Sequence, residues 1–330
     1  VPKASRICLG TWAIGAWLWG GADDDNSIAT VAAAVDQGVN FIDTAPVYGF
    51  GRAEEVVGRA LKKIGGRDRL VIATKAGLEW TPDEKVFRNC ATKRLQEELE
   101  ASLQRLQVDT IDLYQVHWPD TQVPIAETAG VMKGFLDSGK VKAIGVSNYS
   151  VAQMEEFRKE CPLHSNQPPY NLFERGIEAD ILPFTNQNKI TTLAYGAICR
   201  GLLSGRMTES TAFPETDLRS FDPKFQAPRY QQYLKAVSDL QQLASERYGK
   251  NVLQLAVRWI LDQGQTVALW GARRPDQLTP LAQVSGWQLN ADDKADIDRI
   301  LSAAVTDPIG PEFMGSPDRS DPSYNGAHPL

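Results

Sequence analysis

The sequence predicts a single-domain α/β fold, the closed (β/α)8 arrangement known as a TIM barrel. Short apolar runs alternate with longer amphipathic ones along the chain. Eight such strand–helix units follow one another without a change of rhythm, and strands separated by helices pair in parallel through right-handed crossovers. The 330 residues suit one such barrel, with no Gly- or Ser-rich linker or low-complexity segment to divide them. An open doubly wound sheet is the alternative, and at this length it would usually split into two domains. The reading assigns 1–306 to the barrel and 307–330, with five Pro and three Gly, to a tail that is loop, either frayed or laid across the barrel.

The first strand is read over Ile7–Trp12. A helix over Asn26–Gln37 places Ile28, Val31, Ala32 and Val35 on one face, and Gly38 closes it. Phe41–Thr44 is the second strand, Ala53–Lys63 a helix, Leu70–Lys75 the third strand and Ala91–Leu106 a long helix. Ile111–His117, Val141–Ser147, Ser165–Pro168, Ile190–Tyr195 and Val267–Trp270 supply the remaining strands. Helices over Pro124–Asp137, Val151–Lys159, Ile177–Asn186, Tyr230–Arg247 and Val252–Asp262 separate them, with a loop-rich stretch over Cys199–Pro228. Two helical stretches end the barrel, one near Pro275 and one over Ala291–Val305.

Composition narrows the function. With 35 Lys+Arg against 41 Asp+Glu the net charge is −6, which does not favour a phosphate backbone and argues against nucleic-acid binding. No apolar run approaches a membrane span of ~18 residues. Val1–Gly10 lacks the basic-then-apolar pattern of a signal peptide. Cys8, Cys90, Cys161 and Cys199 are scattered, so a cytoplasmic protein with reduced thiols is expected. Asn148-Tyr149-Ser150 is then a coincidental sequon.

Several motifs fall short. Gly134–Val141 resembles a phosphate-binding loop but ends in Val141 and joins a helix to a strand. Gly145–Tyr149 lacks the last glycine of a nucleophile elbow. Gly49-Phe50-Gly51 begins like a dinucleotide fingerprint, but Glu54 stands at its third glycine. His117, His164 and His328 have no metal-ligand spacing, so no metal site is expected.

One constellation survives. In such barrels chemistry sits where strands end and βα loops begin. Asp43 ends the second strand, with Tyr48 in its loop, Lys75 ends the third and His117 the fourth. A phenol is a poor acid at neutral pH, and the Lys75 cation is expected to lower its pKa. Asp43 can hold Lys75, and His117 can donate to a carbonyl oxygen, a set that suits proton delivery as hydride reaches carbon. Singly, each has a bland reading: a structural ion pair, a packing tyrosine, a core histidine. Together, at three consecutive strand ends, they read as a site. Trp12, Trp19, Trp80 and Trp118 fall near the same ends and, with Tyr48 and His117, are expected to wall a substrate pocket, with Trp17 a further candidate.

At these residues the chain resembles the aldo-keto reductases. The likeness is carried by Leu9–Trp12, Asn40–Ala45 with Tyr48-Gly49, Ala73–Lys75, Asp112–Trp118 and Ile144–Asn148, and runs from about Leu9 to Leu301. The chain looks most like the bacterial glycerol dehydrogenases, glyceraldehyde reductases and stress-related reductases. The resemblance implies NADP, or else NAD, bound without a Rossmann domain. It implies Tyr48 as the acid/base, tuned by Lys75 and Asp43, with His117 orienting the carbonyl of a small aldehyde or ketone that is interconverted with its alcohol, small polyols or sugars being the leading substrates. By the same likeness Ser147, Asn148 and Gln167 hold the nicotinamide carboxamide, and Tyr195 stacks on its ring. Gly10, Thr11, Trp12 and Asp43 lie alongside, and Gly196, Ala197, Arg200, Gly201, Leu202 and Gly205 surround the pyrophosphate. Gly271, Arg273, Arg274 and Gln277 resemble the adenosine-phosphate loop. The commoner pattern has Lys-Ser at Gly271-Ala272, Arg at Gln277 and Glu-Asn at Pro280-Leu281, so only a modest NADP preference is expected. Two other readings use the same barrel: Schiff-base chemistry on Lys75, and a binding or channel-auxiliary subunit with vestigial activity.

Overall fold

The computed structural model describes residues 2–318. Its strands are β1 (Ile7–Gly10), β2 (Phe41–Asp43), β3 (Val71–Ala76), β4 (Leu78–Trp80), β5 (Val86–Arg88), β6 (Leu113–Val116), β7 (Ile144–Ser147), β8 (Ser165–Gln167), β9 (Thr191–Ala194) and β10 (Thr266–Gly271). Eight of them close a parallel barrel in the order β1-β10-β9-β8-β7-β6-β3-β2, while β4 and β5 form a separate antiparallel hairpin. The helices are α1 (Asp24–Asp36), α2 (Arg52–Ile64), α3 (Thr92–Leu106), α4 (Ile125–Asp137), α5 (Val151–Glu160), α6 (Ile181–Gln187), α7 (Arg229–Tyr248), α8 (Val252–Leu261) and α9 (Ala291–Ala304).

Period-two alternation decides what reaches the barrel axis. Cys8, Phe41, Val71, Ala73, Leu113, Leu193, Val267 and Leu269 pack together inside. Their outward neighbours Ile42, Ile72, Tyr114 and Ile144 join the larger core under the helices. Two residues beyond Phe41, Ala73 and Leu113 on the same inner face come Asp43, Lys75 and Gln115. The barrel therefore passes from an apolar layer to a polar one at its C-terminal end. Register fixes the neighbours: Gly10 lies opposite Asp43, Lys75 opposite Gln115, Gln115 opposite Gly145, and Ser147 opposite Gln167.

Four expectations need correction. The first strand stops at Gly10 because Thr11 turns back, its N–H and hydroxyl donating to the Asp43 carbonyl at 3.0 and 2.9 Å. Trp12 opens a 3-10 turn over Trp12–Gly15 instead. The expected helix over Ile177–Asn186 is a 3-10 turn, Gly176–Glu178, followed by α6, because the Asp180 side chain accepts the Ile181 N–H at 2.6 Å and restarts the helix. The stretch at Pro275 is a short 3-10 turn, Pro275–Leu278. The β4–β5 hairpin is an insertion that the strand–helix rhythm does not announce. The tail is ordered as far as it is described. Arg88 donates to the Ser316 carbonyl at 2.7 Å, and its N–H to that of Pro317 at 3.0 Å. The expected tail over 319–330, and His328 with it, lies outside the described residues.

Candidate active site

A cavity of about 230 Å³ opens where the barrel strands end. Its floor is built from side chains that the alternation aims inward. The Lys75 ammonium donates to Asp43 Oδ2 at 2.6 Å, to the Thr44 carbonyl at 3.0 Å and to the Tyr48 hydroxyl at 3.2 Å. An ammonium has three N–H donors, so this set fills it and leaves the phenol on the cavity side. Tyr48 is placed by a tight loop. Gly49 and Gly15 meet there so closely that a Cβ on either would collide with the other's backbone or with Tyr48's. The His117 ring lies edge-on to Tyr48, 5.8 Å between centroids.

The electrostatics modify the expectation for the phenol. Burial pushes the Tyr48 pKa up, Lys75 pulls it down and Asp43 pushes it up again, with a net rise. Lys75 alone would lower it; desolvation of a buried phenolate outweighs that. Burial works against the Lys75 charge too, but Asp43 and Tyr48 more than offset it and hold the ammonium above its usual range. Burial, then the Lys75 cation, hold the His117 imidazole well below its ordinary value. At neutral pH the set is a protonated phenol, an ammonium and a neutral imidazole, able to give a proton and a hydrogen bond to one oxygen atom.

Around this floor the structure gathers most of the residues singled out above. Gly10, Thr11, Trp12, Asp43, Ser147, Asn148, Gln167, Tyr195, Gly196, Gly201, Gly271, Arg273 and Gln277 line the cavity, as do Trp19, Tyr48, His117 and Trp118. Trp17 joins them. Polar groups on one side are already organised. Ser147 Oγ donates to the Gln167 carbonyl at 2.7 Å, Asn148 Nδ2 to the His117 carbonyl at 3.1 Å, and Tyr195 Oη to Asn148 Oδ1 at 3.1 Å. Gln167 Nε2 donates to Asp43 Oδ1 at 2.9 Å. Amide and hydroxyl groups beside an aromatic face fit a nicotinamide with its carboxamide. The Arg273 side chain at the far end fits an anionic group.

Others stand elsewhere. Trp80 is not in the cavity wall; it packs on Phe50 at 5.5 Å with Arg94 over its ring at 5.3 Å. The hairpin faces the cavity with Leu78 and Val86 instead. Ala197 and Leu202 are buried in the core. Gly205 and Arg274 lie outside the lining, and Arg274 pairs with Asp276 at 3.0 Å. Arg200 touches the cavity, but Asp222 holds its Nε at 2.5 Å and Glu174 its Nη2 at 2.6 Å. Its guanidinium is an internal brace and not a free phosphate ligand.

Sequence reasoning missed Arg219, Met314 and Ser316 in the wall and Gln115 beneath the floor. The loop region after β9, which holds Arg219, and the tail carry no periodic pattern to mark them. Gln115 lies in the run Tyr114-Gln115-Val116-His117, where a polar residue inside a strand is itself a signal.

A (β/α)8 barrel whose mouth holds a buried Asp–Lys pair under a half-buried Tyr, beside an amide-lined aromatic cleft, defines a class of barrel oxidoreductases. Comparison with known proteins places the chain within it: the aldo/keto reductase family pattern matches residues 6–302, and the chain belongs to that family. It is 58% identical over 320 residues to aldo-keto reductase YhdN of Bacillus subtilis, covering 97% of this chain and 96% of that one. It is 35% identical over 290 residues to an NADH-specific methylglyoxal reductase of Escherichia coli, covering 83% and 87%. The solved structure of glycerol dehydrogenase AKR11B4 from Gluconobacter oxydans superposes with a TM-score of 0.86 at 52% identity, covering 94% and 96%. The chain is accordingly an NAD(P)-dependent oxidoreductase acting on carbonyls and alcohols. Among the described residues no helix is long and apolar enough to cross a membrane.

Proposed function

We propose that this chain reduces small aldehydes and ketones with NADPH, and oxidises the matching alcohols and polyols, with glyceraldehyde and glycerol as leading substrates. The observation that carries the reading is the Asp43–Lys75–Tyr48 chain, at 2.6 and 3.2 Å, beneath a cavity that His117 also faces. Bound nicotinamide supplies the hydride. Tyr48 gives its proton to the carbonyl oxygen as the carbon is reduced, and the Lys75 ammonium stabilises the phenolate left behind. His117, neutral, donates a hydrogen bond to the same oxygen. In oxidation the phenolate takes the proton back.

Ser147, Asn148 and Gln167 would hold the carboxamide and Tyr195 its ring. Backbone around Gly196 and Gly201 would meet the pyrophosphate, and Arg273 the adenosine phosphate. The likeness to a glycerol dehydrogenase supports a polyol substrate, and walls of Trp12, Trp19 and Trp118 leave room for a small one. In this reading 1–306 is the catalytic barrel and 307–330 an appended segment. Four buried cysteines outside any disulfide support a reducing, cytoplasmic setting. The deciding experiment follows absorbance at about 340 nm, where reduced nicotinamide absorbs, for a panel of aldehydes and polyols with both cofactors. Turnover of glyceraldehyde with NADPH, faster than with NADH, is expected. Turnover with neither cofactor across the panel would leave only a binding role.

A further inference from the structure

Gln115 has no part in the reading above, yet it touches the centre of it. The side chain is fully buried on β6. A buried primary amide must find partners for its N–H and C=O groups. Its Nε2 donates to Asp43 Oδ1 at 3.2 Å, and its Oε1 accepts from Gln167 Nε2 at 3.4 Å. Gln167 donates to the same Asp43 oxygen at 2.9 Å. Asp43 therefore carries two amides on Oδ1 and the Lys75 ammonium on Oδ2.

The space for this amide is built into the barrel. Gly145 lies opposite Gln115 on β7. A Cβ on Gly145 would stand 2.9 Å from Gln115 Cγ and would collide with Ser165 Oγ. A side chain at 145 and the observed Gln115 rotamer exclude each other.

We propose that Gln115 is a positioning residue that sets how much of the Asp43 charge reaches the Tyr48 phenol. The proposal rests on Tyr48 being the acid/base. The titratable groups facing Tyr48 are Asp43 from β2, Lys75 from β3, Cys8 from β1, His117 after β6 and Tyr195 after β9. Lys75 favours the phenolate and Asp43 opposes it. Two amide dipoles with their hydrogens on Oδ1 blunt the field of the carboxylate. With one removed, Asp43 opposes the phenolate more strongly, and the phenol keeps its proton to higher pH.

This has a signature that simple damage lacks. Reduction uses the protonated phenol and oxidation the phenolate. Raising the phenol pKa weakens it as an acid and lowers the fraction of phenolate, so both directions slow at neutral pH. The pH limb of each profile moves upward, so the deficit shrinks as pH rises through the phenol pKa. Damage to the pocket lowers the rate at every pH.

The test uses Gln115→Met, equal in length and without a donor, and Gly145→Ala, which displaces the amide while leaving Gln115 in place. Both should lose about three- to tenfold in kcat near neutrality, keep KM for the carbonyl within about twofold, and show a deficit that shrinks as pH rises through the phenol pKa. A uniform loss across pH in a protein with unchanged thermal unfolding overturns the proposal. The near-ultraviolet absorbance of tyrosinate, taken as the difference between each protein and its Tyr48→Phe counterpart, reads the same shift without turnover. A later rise in either variant than in wild type supports the proposal, and coincident rises overturn it. A wild type that turns over no carbonyl overturns the functional reading, while this titration still decides the role of Gln115.

Discussion

Lys75 and Arg200 are both buried cations beside one cavity, and their partners divide them. Lys75 meets one carboxylate, Asp43, and points its remaining donors at a backbone carbonyl and the Tyr48 hydroxyl. Arg200 meets two, Glu174 and Asp222, and Lys224 binds Glu174 as well, at 2.9 Å. Lys224 also donates to the Gly310 carbonyl, and Arg200 lies against the Met314 sulfur at 3.8 Å. In the second cluster two cations and two carboxylates satisfy one another and pin the loop after β9, the turn at Asp222 and the tail. In the first, one hydrogen bond of the cation faces a group that can lose a proton. Burial is common to both; a reactive set differs from a brace in that one partner of its cation can exchange a proton.

Breaking the reactive set should have the largest effect. Tyr48→Phe removes the transferable proton and keeps the ring that stacks on Trp12 at 6.0 Å. Reduction should slow by at least ~100-fold, the lower end for losing a general acid, with cofactor affinity and thermal unfolding nearly unchanged. Steady-state rates near those of wild type would remove Tyr48 from the chemistry.

Breaking the brace should do the opposite. Arg200→Met leaves Asp222 without its guanidinium and Glu174 with the Lys224 ammonium and the Asn171 amide, a loss of about 3–5 kcal/mol by analogy with other buried pairs. Urea unfolding should register it, while kcat of the folded fraction stays within about tenfold. The acid side checks the same cluster. Burial alone would raise the Glu174 pKa, but Arg200 and Lys224 hold it down to about 2. A folded pKa below the unfolded 4.5 means that this stabilisation is complete above about 4.5 and is lost as pH falls through about 2. In Arg200→Met the acid transition should move to higher pH.

The two clusters also differ in how far the sequence discloses them. Asp43, Lys75 and His117 stand out because each is a polar residue at or beside the end of a short apolar strand, and period-two alternation places them. Arg200 has no such frame. It lies in a loop at φ 52°, and Glu174 and Asp222 come from loops 26 and 22 residues away, so nothing local shows that its charge is already matched. Trp80 misleads for a related reason: β4 and β5 are three residues each, too short for a periodic signal, and the hairpin turns the indole towards Phe50. Gln115 was visible as a polar residue inside a strand, but its partners come from β2 and β8.

Arg273 tests whether a cation can serve both ends. Its Nη1 donates to the carbonyls of Trp19 at 2.6 Å and Gly21 at 3.0 Å, tying the first loop to the last strand. Gln277 Oε1 accepts the Arg273 and Arg274 N–H groups at 2.9 and 3.1 Å and shapes the turn. Arg273 lines the cavity while Arg274 is paired on the surface, so discrimination for the extra phosphate of NADPH should rest on Arg273. Arg273→Ala should raise the NADPH dissociation constant about 10- to 100-fold, equal to ~1.5–3 kcal/mol, and that for NADH far less. Equal losses in fluorescence titrations would make it a brace for Trp19–Gly21, on the side of Arg200.

The smallest effect concerns His117, which sits between the two cases: half-buried in the cavity wall, without a carboxylate, and beside a cation. Burial and Lys75 both disfavour its charge, so the imidazole is neutral throughout the range where a free one titrates. A neutral ring can donate one hydrogen bond to a carbonyl oxygen but cannot act as the proton source. Gln at this position keeps an N–H donor and Ala keeps none, so His117→Ala should be slower than His117→Gln by about tenfold, the value of one hydrogen bond to a developing charge. Because protonation would begin only well below 6.5, wild-type kcat for reduction should show no acidic limb between pH 6 and 8. A limb in that window that vanishes in His117→Gln would mean that the imidazolium takes part, and proton delivery would have to be shared between His117 and Tyr48.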